Sequence, residues 1–495
     1  MRPAGRRLIA LALPVLVSVG LAAQEPVLRW GGDAEGGAPF VEADPNDPTR
    51  LAGFDVEVAE LVAGDLGRRP QFVQIAFASL DQSALRGDFD IGMSGIEDTP
   101  ARRGMVAASV PYYQFREVLT VRAADRGTYR TLADLGGRRV ATLAGTIAYD
   151  LLLEAGRTHG IEAVSYDDDV HPYSDLAIGR VDAVLLDHVL AERAMRRHEG
   201  LVTHPEAVEV GYYIIITAPG NVALRDEVNQ VLRAAMQDGR LEAIYRRWNI
   251  WNEDQPVLFA RVLAGADTLL DAESVQLPTR WEATLRYLPS LLRAAVLTLV
   301  LSCLAMVLAV GLGVALAVGR VYGDRVTRAV CTIYIEVIRG TPVLLQLFVL
   351  YYGVSSFVRL PAFVAALLGL GLNYAAYEAE IYRASLEAVP KGQLDAARTL
   401  GFSERQIFSL VRAPQAFRFS LAPMTNDFVA LLKDSSLVSV LTVVELTKQT
   451  QIFAANIGSW AIPGALCAAL YLMMSLPIAH VARRLEGQWK APTAS

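Results

Sequence analysis

The chain has 495 residues, 53% of them hydrophobic, and a formal net charge of −6. Its mean hydropathy of +0.31 is high for a soluble protein, and nearly all the long apolar runs lie in 286–484. The modest acidic charge gives no indication of nucleic-acid binding. All three cysteines lie in the apolar half, which excludes a disulfide framework or a zinc–cysteine site in the first half.

The N-terminus has the pattern of an export signal. A basic segment, MRPAGRR, precedes an apolar run over 8–23 that ends in the small residues Ala22 and Ala23. This arrangement is typical of a secretory signal peptide, and an uncleaved anchor is the alternative. We predict a signal peptide over 1–23 and export of the residues that follow.

Residues 24–255 are predicted to form two α/β lobes. Strand-like apolar segments alternate with helical ones over 27–121, and residues 138–185 repeat this plan. Such alternation favours sheets built from βαβ units. We expect the chain to leave the first lobe near 117–122 and to return through 212–220. Two crossings form a hinge, and hinged lobes close around a ligand.

Several motifs in this half resemble the amino-acid-binding proteins of bacterial importers. LAGFDVEVAELVAGDLG (51–67) is similar to their first helix, and DIGMSGIEDTPARRGMVAASVPYY (90–113) to their main ligand-binding block. AGT (144–146) and VDAVLLD (181–187) match blocks of the second lobe. The resemblance implies an α/β bilobed periplasmic-binding-protein domain of type II with an amino acid ligand.

The resemblance also implies which residues bind that ligand. Arg102 is expected to grip the ligand carboxylate through a bidentate fork. Backbone amides near Thr99 and Thr146, where helices open, would add donors to the same anion. Asp187 would pair with the ammonium or else cap a helix, and no catalytic residue or metal ligand is expected. The predicted ligand-binding residues are Phe40, Phe77, Ser94, Gly95, Glu97, Thr99, Arg102, Thr146 and Asp187.

Two departures from that family bear on the substrate. Glu97 stands where the family usually has a small hydroxyl residue, and Gly37 stands at the position of its leading aromatic. An extra carboxylate in a pocket without an aromatic lid would favour a basic amino acid or a polyamine-like cation. If Glu97 instead points into solvent, a generic polar amino acid is expected. The sequence leaves both open.

The second half is predicted to cross a membrane about five times. A crossing needs roughly 20 mainly apolar residues. Gln346 interrupts the second apolar run, and Lys433 with Asp434 interrupts the fourth; this pair either neutralises itself at a helix break or lines a path. The predicted crossings are 294–318, 341–358, 361–382, 423–446 and 461–482.

The placement of Lys and Arg predicts the orientation of these crossings. Positive residues are concentrated in 320–339, in 383–418 and after the last crossing, whereas the two outer connections hold only Arg359 and Lys448. Because cytoplasmic loops carry the excess of Lys and Arg, this pattern puts the first half outside. We therefore expect a multi-pass inner-membrane protein with its N-terminal domain in the periplasm.

A polar segment between the third and fourth predicted crossings resembles the EAA signature of ABC-importer permeases. Residues 395–414 read DAARTLGFSERQIFSLVRAP and match the spacing EAA-x3-G-x9-I-x-L-P, with Asp for Glu and Ala413 for Leu. In that family the loop forms a coupling helix that docks on the ATPase subunit. The matching residues are Asp395, Ala396, Ala397, Gly401, Val411 and Pro414.

Together these features predict a binding protein fused to its own permease, an all-α transmembrane domain of about five helices. The predicted divisions are 1–23 signal peptide, 24–255 binding domain, 256–285 linker, 286–484 permease and 485–495 cytoplasmic tail. No G-x4-G-K-[ST] phosphate loop occurs, so ATP hydrolysis is expected in a separate cytoplasmic ATPase dimer, with no cofactor held by this chain. A second permease copy, in a homodimer or heterodimer, would complete the path. A ligand-gated channel and an amino-acid sensor are the alternatives.

Overall fold

The computed structural model describes residues 26–34, 39–44, 47, 50–270, 280–355, 357–457 and 459–489. The predicted signal peptide, Gly37 and the tail beyond 489 lie outside the described residues. The remaining chain forms two modules, an α/β module followed by an all-α module, as the sequence predicts.

The α/β module holds the strands of the described chain in two five-stranded sheets and one short hairpin. The sheet orders are β4-β1-β5-β12-β6 and β11-β7-β10-β8-β9, and β2 pairs with β3. The strands are β1 (Val27–Gly32), β2 (Glu42–Ala43), β3 (Leu51–Ala52), β4 (Arg69–Gln74), β5 (Ile91–Gly92), β6 (Ala107–Ala108), β7 (Tyr113–Arg122), β8 (Arg139–Leu143), β9 (Glu162–Tyr166), β10 (Ala183–Asp187), β11 (Leu201–Tyr213) and β12 (Ile216–Thr217).

Helices cover both sheets and build the second module. Those of the α/β module are α1 (Phe54–Asp65), α2 (Leu80–Arg86), α3 (Pro100–Arg103), α4 (Ile147–His159), α5 (His171–Ala177), α6 (His188–Arg197), α7 (Val222–Gln237), α8 (Arg240–Arg247) and α9 (Asp254–Leu263). Those of the all-α module are α10 (Arg280–Tyr322), α11 (Arg325–Arg339), α12 (Val343–Phe348), α13 (Ala362–Glu387), α14 (Lys391–Thr399), α15 (Glu404–Gln406), α16 (Ala413–Asp434), α17 (Leu446–Ile457) and α18 (Ala461–Trp489).

The chain passes between the two sheets earlier than the sequence suggests. β6 belongs to the first sheet and β7 to the second, so the outward crossing lies over 109–112. The expectation that it lies near 117–122 is wrong, because that stretch is already inside β7 and pairs with β10 and β11. The return lies over 214–215, within the predicted 212–220.

A tight turn before α1 fixes the wall of the inter-lobe cleft. A Cβ on Gly53, whose φ is +149°, would stand 1.9 Å from the Phe40 carbonyl oxygen, so only glycine fits. The Asp55 carboxylate accepts hydrogen bonds from the Gly95 amide and the Tyr112 hydroxyl. Burial raises the pKa of Asp55 to about 7, with both donors opposing the rise. The Gly-Phe-Asp sequence thus holds Phe40 and Gly95 in place.

The predicted linker, 256–285, begins inside a helix of the α/β module. Leu258, Phe259 and Val262 on α9 are buried in the core that also holds the first lobe. Residues 271–279 lie outside the described chain, and α10 begins at Arg280. The α/β module therefore extends at least to Leu263.

Among the described residues of the second module, three helices are long and apolar enough to cross a membrane: 287–322, 362–387 and 461–484. A fourth candidate is α11 with residues 343–353, bent by 105°. The predicted inner loop 320–339 is thus largely helix α11. The predicted crossing 423–446 is broken instead, because α16 ends at Asp434 and a 3-10 turn follows.

The second lobe makes several polar contacts with the all-α module. Arg180 donates to the Tyr351 carbonyl at 2.8 Å, its guanidinium lies 3.8 Å from the Tyr351 ring centre, and it pairs with Asp175 at 3.0 Å. Tyr351 also donates to Asp175, and Arg359 donates to the Ile178 carbonyl. The predicted outer connection around Arg359 therefore lies against the α/β module.

Candidate functional site

A cavity of about 60 Å³ lies between the two lobes. Its walls come from β-strand ends and helix starts of both lobes, and its volume suffices for only a few water molecules. The lobes are therefore closed, and a ligand needs them to open. Seven predicted residues line this cavity: Phe40, Phe77, Ser94, Gly95, Glu97, Thr146 and Asp187.

Glu97 reaches across the cleft from the first lobe. Its side chain is buried, and Oε2 accepts a hydrogen bond of 2.6 Å from the Ile147 amide at the start of α4. Burial raises the pKa of Glu97 to about 8; the Ile147 amide and Arg102 oppose the rise, and Asp187 adds to it. Glu97 therefore does not point into solvent. It occupies the helix start where the sequence places a ligand carboxylate.

Asp187 and Thr146 cap helices and line the cavity at once. Asp187 accepts from the Leu190 amide at 2.9 Å, which caps α6, and burial raises its pKa to about 6 against that amide. Thr146 caps α4 by accepting from the Tyr149 amide at 3.2 Å. Asp187 therefore caps α6, as one of the two sequence-based readings predicts, and it also lies in the cavity wall; its pairing with a ligand ammonium stays a prediction.

Sequence reasoning missed three further carboxylates in the cavity wall, Asp167, Asp168 and Asp169. They follow β9, which pairs in parallel with β8, and Asp187 is the last residue of β10, which also pairs in parallel with β8. Because the carboxyl ends of parallel strands meet at one edge of a sheet, strand-end acids converge there. The Asp-Asp-Asp run directly after an apolar strand was the available signal.

Two acids of this run are already paired within the second lobe. Asp168 lies 2.5 Å from His171; burial opposes ionisation of Asp168, but the pairing prevails and its pKa is lowered. Asp169 pairs with Arg193 at 2.7 Å, yet burial raises its pKa to about 7. These partners reduce the negative charge that the two side chains present to the cavity.

Arg102 and Thr99 are not among the residues that line the cavity. Arg102 Nε pairs with Asp81 at 2.9 Å, and its Nη1 donates to the Glu97 carbonyl oxygen. Thr99 caps the short helix α3 by accepting from the Arg102 amide. Arg102 therefore supports the backbone of Glu97 here, and its fork on a ligand carboxylate stays a prediction. Its neighbour Arg103 pairs with the buried Asp98.

The predicted coupling loop forms a helix, a turn and a second short helix. α14 carries Asp395, Ala396 and Ala397 and ends in a turn where the Phe402 amide donates to the Ala397 carbonyl and Gly401 has a φ of +85°. This is a Schellman ending, in which the left-handed residue favours glycine. The third residue of the triplet is buried, whereas Asp395, Ala396 and Pro414 are exposed.

Exposed apolar side chains flank this turn. Leu400 is 76% exposed and Leu410 64%, while Leu394 and Ile407 pack the loop against the ends of α13 and α16. Val411 packs partly against that same core. The loop therefore presents a supported apolar surface of the kind that marks a protein-binding site.

A separate cavity of about 460 Å³ lies within the all-α module, with Asp427 and Asp434 in its wall. Asp434 accepts from the Tyr374 hydroxyl at 2.7 Å, whereas Lys433 is exposed. The adjacent Lys433 and Asp434 form no ion pair in the described chain, and Asp434 lies in a cavity wall; its place on a translocation path stays a prediction.

Comparisons with known proteins match both modules. Residues 28–250 match the family described as bacterial extracellular solute-binding proteins, family 3, and residues 309–487 match the binding-protein-dependent transport system inner membrane component. The glutamine transport system permease protein GlnP of Escherichia coli is 34% identical over 214 residues, which are 42% of this chain and 97% of that protein. The chain belongs to this family of transport-system membrane components.

Other relatives match one module or the other. The L-cystine transport system permease protein TcyB of Bacillus subtilis is 40% identical over 155 residues, 31% of this chain and 66% of that protein. A solved ancestral arginine-binding protein bound to arginine is 26% identical over 46% of this chain and 99% of its own, with a TM-score of 0.43. The chain therefore fuses an amino-acid-binding module to an ABC permease module, which confirms both families expected from the sequence.

Proposed function

We propose that this chain imports an amino acid with a cationic side chain, as the binding and permease subunit of an ABC importer. One observation carries the choice of substrate. Six of the fourteen described residues that line the inter-lobe cavity are acidic, and none of the fourteen is Lys or Arg. A ligand that brings two positive groups and one negative group suits such a wall, whereas an acidic amino acid brings two negative groups and only one positive group.

Glu97 and Asp187 would hold the positive groups from opposite lobes. Each accepts a hydrogen bond from a backbone amide at a helix start, and each has a raised pKa because it is buried. A cation placed between them favours both ionised forms. Closure of the lobes would then depend on a positive ligand bridging the two carboxylates.

The ligand carboxylate needs a donor of its own. The Ile147 amide at the start of α4 belongs to the backbone around Thr146, which the sequence predicts as one source of donors beside Arg102, and Glu97 holds that amide in the closed lobes. We propose that the ligand carboxylate displaces Glu97 from Ile147, and that Glu97 then turns to the ligand's cationic side chain. One exchange would satisfy both ends of the ligand.

Import also needs partners that this chain does not supply. An ATPase dimer is proposed to dock on the coupling loop, where Leu400 and Leu410 are exposed on either side of Gly401. A second permease copy, as a homodimer or heterodimer, would complete the path, and the α/β module would face the periplasm. The concentration of Lys and Arg on the coupling-loop side supports that orientation.

Calorimetry on the purified full-length chain tests the proposed substrate. Titrations with L-arginine, L-lysine, L-glutamine and L-glutamate should give roughly ten- to a hundredfold tighter binding of the two basic amino acids, the range expected for a charge-assisted hydrogen bond worth about 1.5–3 kcal/mol. Glu97→Gln should reduce this preference, while the matched change Glu60→Gln on the exposed face of α1 should not. Tighter binding of glutamine or glutamate would exclude the proposal.

A further inference from the structure

A cavity of about 470 Å³ lies at the boundary between the two modules. The inter-lobe cavity and this one share three wall residues, Asp33, Asp167 and Asp168. The permease contributes Tyr352 and Lys448, among others, to its opposite wall. The two cavities are therefore neighbours separated by a thin, acidic partition.

Lys448 crosses this boundary. It lies near the start of α17, its side chain is 1% exposed, and its Nζ donates to Asp167 Oδ1 at 2.6 Å. Within the described chain, this is the one salt bridge that joins the two modules. A buried ammonium is costly unless it is paired, so the contact holds Lys448 in the wall of the boundary cavity, against Asp167, which lies in the walls of both cavities.

Asp167 is placed differently from its two neighbours. Asp168 and Asp169 pair with His171 and Arg193 of their own lobe, whereas the partner of Asp167 comes from the permease. The charge that Asp167 presents to the ligand cavity therefore depends on contact between the modules. Undocked, the carboxylate can attract a cation; docked, it is neutralised by Lys448.

We propose that Lys448 is a displacing cation. When the modules dock, Lys448 pairs with Asp167 in place of the cationic group of a bound ligand, and this lowers the affinity of the binding module for that ligand. The boundary cavity then receives the released ligand at the mouth of the permease. This inference rests on the proposed cationic substrate. It predicts that, in the full chain, Lys448 weakens the binding of cationic ligands and leaves the binding of neutral ligands unchanged.

An anchoring role for Lys448 makes a different prediction. A residue that only holds the modules together would affect arginine and glutamine alike, as would Arg359, which bonds the Ile178 carbonyl and touches no residue of the ligand cavity. Arg359→Met is therefore the matched control, because it removes a positive contact between the modules without freeing a cavity carboxylate.

The test uses the full-length chain in lipid nanodiscs, titrated with L-arginine and L-glutamine. Lys448→Met should tighten arginine binding at least fivefold and leave glutamine binding unchanged, and Lys448→Arg should behave as wild type. Adding Asp167→Asn to Lys448→Met should remove the gain. Arg359→Met should change neither ligand selectively. With the ATPase present, Lys448→Met should also import less arginine for each ATP hydrolysed.

The failures are distinguishable. Equal effects of Lys448→Met on both ligands, or none on arginine, would overturn the displacement role while leaving the substrate proposal standing. Glutamine binding more tightly than arginine to the wild-type chain would overturn both. If Lys448→Met and Arg359→Met have the same unfolding temperature, a missing change in affinity cannot be attributed to misfolding. If the unfolding temperature of Lys448→Met is lower, the arginine affinities of wild type, Lys448→Arg and Asp167→Asn are compared instead.

Discussion

Glu97 and Ile147 join the two lobes of the binding module through one hydrogen bond of 2.6 Å. The acceptor is a carboxylate of the first lobe, and the donor is the first amide of α4 in the second lobe. Because a helix start carries partial positive charge, it favours an anion. In this closed form the anion is the protein's own, so the chain carries an internal competitor for the ligand carboxylate.

Removing that competitor should change which ligand is preferred. Glu97→Ser frees the Ile147 amide for a ligand carboxylate, so the affinity for L-lysine relative to cadaverine, which lacks the carboxylate, should rise at least tenfold. The preference for lysine over glutamine should fall at the same time. Calorimetry on the full chain measures both ratios. Glu60→Ser on the exposed face of α1 is the control, and an unchanged lysine-to-cadaverine ratio would contradict the exchange.

Ligand affinity should depend on pH in a defined direction. Burial raises the pKa of Glu97 to about 8 and that of Asp187 to about 6, and a protonated carboxyl does not attract a cation. Arginine affinity should therefore rise between pH 6 and 8, by up to about tenfold per pH unit for each proton released. Calorimetry in buffers of different ionisation enthalpy counts those protons. Glutamine should show a smaller rise; an arginine affinity that falls over this range would refute the assignment.

Substitutions of Arg102 and of Arg103 should differ in their effects on ligand affinity and on the stability of the fold. Arg102→Ala removes the donor that holds the Glu97 carbonyl, so arginine binding should weaken at least tenfold. The same change leaves Asp81 without its ion-pair partner, and removing one partner of a buried pair costs roughly 2–5 kcal/mol. Arg103→Ala exposes no cavity residue but leaves Asp98 buried and unpaired, so it should lower the unfolding temperature more than the affinity. Thermal unfolding measures the stability of each variant, and calorimetric titration measures its arginine affinity. Equal losses of affinity in the two variants would show that Arg102 has no special role in binding.

Gly401 should be required for coupling because of its backbone conformation. Its φ of +85° ends α14, and a Cβ there meets no atom within 4 Å, so substitution acts through strain of about 1–2 kcal/mol and not through a clash. Gly401→Ala should reduce, and Gly401→Glu abolish, ligand-stimulated ATP hydrolysis in the reconstituted complex. Gly401→Asn, which tolerates this conformation, should retain most of it. Arginine binding should survive in all three; full stimulation in Gly401→Glu would exclude the loop as the ATPase contact.

The sequence alone determined the features that depend on neighbouring residues. The family resemblance carried by Asp395, Ala396, Ala397 and Gly401 implied the helix of the coupling loop. Apolar runs predicted the long helices around 294–318 and 361–382, because length and composition suffice for a span. Alternating strands and helices likewise specified two α/β lobes. Asp187 was identified through the resemblance of VDAVLLD (181–187) to a binding-protein block, whereas the acids that follow β9, Asp167 to Asp169, were missed.

Only the tertiary structure decided which distant groups meet. Arg102 pairs with Asp81 and not with the cavity, Glu97 finds an amide fifty residues away, and Lys448 reaches Asp167 in the other module. The break after Asp434 and the course of α9 into the first core also escaped the sequence pattern. These cases have the same physical reason. The closure of the lobes and the docking of the modules determine which ionic or hydrogen-bonding groups meet, and neither produces a periodic pattern or a fixed residue spacing in the sequence.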